Sequence, residues 1–150
     1  MVITGLSRQG YRDLAYDIAS KHYQAVLEVY RRTGTFYEYY APEATEPGFM
    51  ARDRFVGWGG LAPIALLIEY MIGIEADYPE ETIRWDIHQL EAHGIERYPF
   101  GPDGMVDLKC AQRSSANERP RVTVHSNVPL TLILTYGKGK SETLRIEPDR

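Results

Sequence analysis

Apolar and aromatic side chains between Ser7 and Arg32 fall at Tyr11, Leu14, Ala15, Ile18, Ala19, His22, Tyr23, Val26, Val29 and Tyr30. Steps of three and four trace one face of a helix. Ser7 is placed to cap it, and Arg31 and Arg32 suit the negative end of its dipole just before Gly34. A second helix is predicted from about Gly59 to Ile72, with Pro63 in its first turn and Gly73 as its stop. This segment, LAPIALLIEYMI, is apolar nearly all the way round, and Glu69 is its one charge. A helix of that kind wants burial on more than one side, which a second helix and a small sheet do not supply.

Beyond Pro79 the pattern changes to short β-branched runs separated by Gly, Pro, Asn and Ser clusters. Thr82–Ile87, Met105–Ala111, Arg121–Ser126, Leu130–Tyr136 and Glu142–Ile146 are predicted strands. The tract Gly137-Lys-Gly-Lys-Ser141 reads as a hairpin loop, so its flanking strands are expected to be antiparallel. Residues 88–104, polar and punctuated by Gly and Pro, read as a loop packing back on the helices. The fold class expected is α+β: helices over 1–78, and a small antiparallel β appendage over 79–150.

Composition changes this picture little. With 150 residues, 43% hydrophobic and 25% charged, the chain has the length and make-up of a globular domain. A net charge of −4 argues against nucleic acid or an anionic membrane as partner. No apolar run approaches bilayer length and no secretory leader pattern is visible, so a cytoplasmic location is expected. One cysteine, Cys110, excludes an internal disulfide framework. His88, His93 and His125 lack metal-ligand spacing, and no phosphate or dinucleotide loop is present, so no cofactor is expected.

The chemistry concentrates between the helices, in GTFYEYYAPEATEPGFMARDRFVGWGGLAP. Loops of this length are functional or disordered, and so many aromatics argue against disorder. Glu38, held between Tyr37 and Tyr39, has surroundings that tune a carboxylate for acid or base work on a sugar. Alternatively it pairs with Arg52 or Arg54 and pins the loop. Trp58 follows Gly57, so its indole either stacks on a sugar or joins the core.

The order of Gly-Thr-Phe-Tyr-Glu-Tyr-Tyr-Ala-Pro-Glu and a downstream Asp-Arg-Phe-Val-Gly-Trp-Gly-Gly-Leu-Ala-Pro-Ile resembles the C-terminal end of the catalytic domain of clan G glycoside hydrolases. The likeness is to family 63, the mannosylglycerate-hydrolase-like group and the related trehalases. It implies the last two helices of an (α/α)6 barrel and an inverting hydrolase acting on α-linked glucosides or mannosides. Carried over, Glu38 is the general base, with Tyr40 beside it, and Phe55 and Trp58 line the sugar cleft. The family's acid, an aspartate on an earlier helix, has no counterpart here. The resemblance therefore implies an inactive C-terminal fragment. Its partners are a carbohydrate and either the missing N-terminal part of the barrel or a second copy held through the apolar second helix. A non-catalytic carbohydrate-binding or assembly module is the alternative.

Overall fold

The computed structural model describes residues 2–149. The chain divides into two compact units, Met1–Met71 and Ile72–Arg150.

The first unit is helical. The Ser7–Arg32 periodicity is carried by α1 (Val2–Arg8) and α2 (Arg12–Thr33), separated at Gly10, whose φ of 88° interrupts the helix. Tyr11, not Ser7, is the N-cap of α2, and no side chain caps it. Ala15, Ala19, Val26 and Val29 form its buried face, as the spacing requires. Gly34 ends it in the left-handed conformation, φ 74°, donating its N–H to Tyr30 O at 2.7 Å. An L side chain there would be strained.

The second predicted helix is three short pieces: a 3-10 turn over Gly57–Gly60, α3 (Leu61–Leu66) and a π turn over Leu67–Ile72. Pro63 is the third residue of α3, where its missing N–H costs no helical bond. Leu66 and Met71 are buried with Ala19, and Ile3, Tyr16, Tyr23 and Tyr70 pack against them.

The second unit holds seven strands in two sheets. They are β1 (Ile74–Asp77), β2 (Thr82–Ile87), β3 (His93–Phe100), β4 (Gly104–Cys110), β5 (Val122–Ser126), β6 (Leu130–Tyr136) and β7 (Lys140–Ile146). One sheet runs β1-β2-β6-β7 and the other β3-β4-β5. Along β6, Leu130, Leu132, Leu134 and Tyr136 are buried while the residues between them are half exposed, the alternation of a strand with one core face. Trp85 on β2 is fully buried, donates its indole N–H to Ile72 O at 2.8 Å, and meets the His93 ring edge-on at 6.1 Å.

Arg113 is buried in this unit, at 4% exposure. Its guanidinium donates to the carbonyls of Ile87 and Gln89 from one nitrogen, and of Ala116 and Glu118 from another. One side chain thereby ties the end of β2 to the loop after β4.

Two expectations are corrected. The fold class is not two end-helices of an (α/α)6 barrel with an antiparallel appendage. Among the described residues there are three short-to-medium α-helices and no barrel, and the larger sheet is mixed because β2 and β6 pair in parallel. Residues 88–104 are not a loop. They contain β3, whose register shifts between Ile95 and Tyr98, with Arg97 at φ 56° donating its N–H to Asp107 Oδ1 at 2.7 Å.

Candidate interaction surface

The segment after Gly34 is ordered by contacts of its own. Phe36 stacks on Tyr30 with ring centroids 4.7 Å apart. Tyr37 is buried, and its N–H donates to the Tyr40 hydroxyl at 3.1 Å. Tyr40 bridges to Pro47, and the Ala41 N–H donates to Glu46 O at 3.0 Å, so Tyr39 to Gly48 doubles back as a small hairpin. Arg32 at the end of α2 donates to the Thr45 carbonyl and holds the hairpin tip. Tyr39 lies across Gly48, where a Cβ would stand 2.1 Å from the ring, and its hydroxyl donates to Phe49 O at 2.9 Å.

The chain then returns to Glu38. Arg52 sits 3.9 Å from the Glu38 carboxylate, and its guanidinium carbon lies 3.7 Å from the centroid of the Phe55 ring. Gly57, at φ 49°, presses on both: a Cβ there would be 3.1 Å from Glu38 Cγ and 3.2 Å from Phe55 Cε1. The structure thus brings Glu38, Arg52, Phe55 and Gly57 together. Arg52, one of the two arginines named as partners in the loop-pinning alternative, stands beside Glu38. Tyr40 is engaged with Tyr37 through its hydroxyl. Trp58 follows the cluster in the chain, and its side chain faces solvent at 79% exposure.

From Trp58 onward the exposed side of the chain is apolar at every third residue. Leu61 is 68% exposed, Ile64 59% and Leu67 39%, while Pro63 and Leu66 face inward. Phe49 and Met50, at the turn beside the hairpin, are also exposed. Large exposed apolar residues are sparser in the second unit, where they are Tyr78, Leu90 and Met105. Contiguous apolar surface of this kind marks sites that another molecule covers. The sequence carried the signal as a helix apolar on all sides.

Beside α2 lies a shallow groove of about 450 Å³, lined by Lys21, Gln24, Glu28, Arg31 and Thr45. Its charges are paired locally, Lys21 with Asp17 at 2.7 Å and Arg31 with Glu28 at 3.9 Å. No group of His, Cys, Asp and Glu among the described residues is arranged to hold a metal. No described helix is long and apolar enough to cross a membrane.

Comparison with known proteins adds one relative. An uncharacterized protein of Borreliella burgdorferi (strain ATCC 35210 / DSM 4680 / CIP 102532 / B31) is 27% identical over 106 residues, 63% of this chain and 22% of that protein. This chain therefore spans only about a fifth of that relative's length. No family model and no solved structure matches. The resemblance to clan G glycoside hydrolases is thereby overturned, and with it the hydrolase, glycosidase, trehalase-like and carbohydrate-metabolism assignments. The barrel those enzymes require is absent from the described residues.

Proposed function

We propose that this chain is an assembly module whose first unit offers an apolar face for another polypeptide to cover. The observation that carries this reading is the run Trp58, Leu61, Ile64 and Leu67, exposed on α3 and the turns on either side of it. Leaving such side chains in water forgoes about 1.5–3 kcal/mol each relative to full burial.

Binding of the dye anilinonaphthalene sulfonate, read in dilute protein by energy transfer from tryptophan, tests whether the face is open and sticky. Wild type should bind the dye, and a Leu61→Lys/Ile64→Lys double variant should lose most of that signal. Absence of binding by folded wild type would sink the reading.

A second reading is favoured by the Glu38–Arg52–Phe55 cluster, which an exposed Trp58 follows in the chain. A carboxylate and a guanidinium suit the hydroxyls of a sugar, and an exposed indole suits its apolar face. In this reading the module binds carbohydrate without cleaving it. Calorimetry with oligosaccharides at millimolar concentration should then give heat that Trp58→Ser abolishes, and no heat at that concentration rejects it.

A further inference from the structure

We draw no further inference here: the strongest candidate, the outer edge of β7 at the end of the larger sheet, in unbroken register with β6 over Lys140–Ile146, carries nothing because nothing in the structure shows what segment would pair with it.

Discussion

A Cβ built on Gly59 would stand 2.1 Å from the carbonyl oxygen of Tyr37, and 2.8 Å from that of Glu38. The glycine turn ahead of α3 therefore lies directly on the backbone that carries Glu38. Gly59→Ala forces that backbone apart and should destabilise the protein by about 2–4 kcal/mol. Gly5→Ala is the control, because it adds a methyl group to open space within α1. It should be neutral to stabilising by up to about 1 kcal/mol. Urea unfolding of both variants decides; equal effects would mean that the close approach is not maintained in solution.

The buried Arg113 makes a separate prediction. Its guanidinium carries hydrogen bonds to four backbone carbonyls, and neighbouring chain segments depend on them. Arg113→Met leaves those carbonyls short of donors in a buried place and should cost about 3 kcal/mol or more. Arg113→Lys should rescue little of this, since one ammonium cannot span two carbonyl pairs as a planar fork does. Chemical denaturation of the two variants should give losses of similar size. Substantial rescue by lysine would show that charge matters here more than geometry.

On the surface of the β6–β7 hairpin, Arg119 forks onto the Glu142 carboxylate at 2.7–2.9 Å, and the Tyr136 hydroxyl donates to it at 2.7 Å. The Arg119 hydrogen bond, then that from Tyr136, lowers the Glu142 pKa. A carboxyl with a folded-state pKa below its unfolded value adds stability that is present above the unfolded pKa. That stability is lost as pH falls through the folded pKa. Wild type should therefore exceed Glu142→Gln in stability near neutral pH, with the gap closing as pH falls below the ordinary glutamate range. Urea midpoints across that range test the sign, and a gap independent of pH contradicts it.

How much of this was legible in the sequence depended on whether the signal was local. Ala15, Ala19, Val26 and Val29 disclosed the buried face of α2 because helical period is written in one segment. The alternation of Leu130, Leu132 and Leu134 disclosed β6 for the same reason. The parallel pairing of β6 with β2 was not legible, since no turn joins them and their register is set by tertiary packing. β3 was hidden because Gly94, the irregularity at Arg97 and Pro99 erase the period of two. Glu38 and Arg52 meet across the loop, and sequence suggested their pairing only as one of two partners for the acid. The barrel expectation failed because it rested on the order of short motifs, which does not determine how many helices surround them.

Cys110 offers a readout of the second unit from within. The thiol is buried at 3% exposure, and that burial raises its pKa, with nearby Arg113 opposing the shift to a smaller degree. Both effects of burial, low access and little thiolate, act against reaction with disulfide reagents. At mildly alkaline pH the native protein should react with a thiol-specific aromatic disulfide at least about a hundredfold more slowly than the urea-unfolded chain. Arg113→Met should speed the native reaction despite removing a cation that favours thiolate. Loosening the strand end and loop that Arg113 ties together increases access, and access limits the rate at a buried site. If the variant instead reacts more slowly, the electrostatic effect of Arg113 outweighs its structural one, and the staple role assigned to it would have to be abandoned.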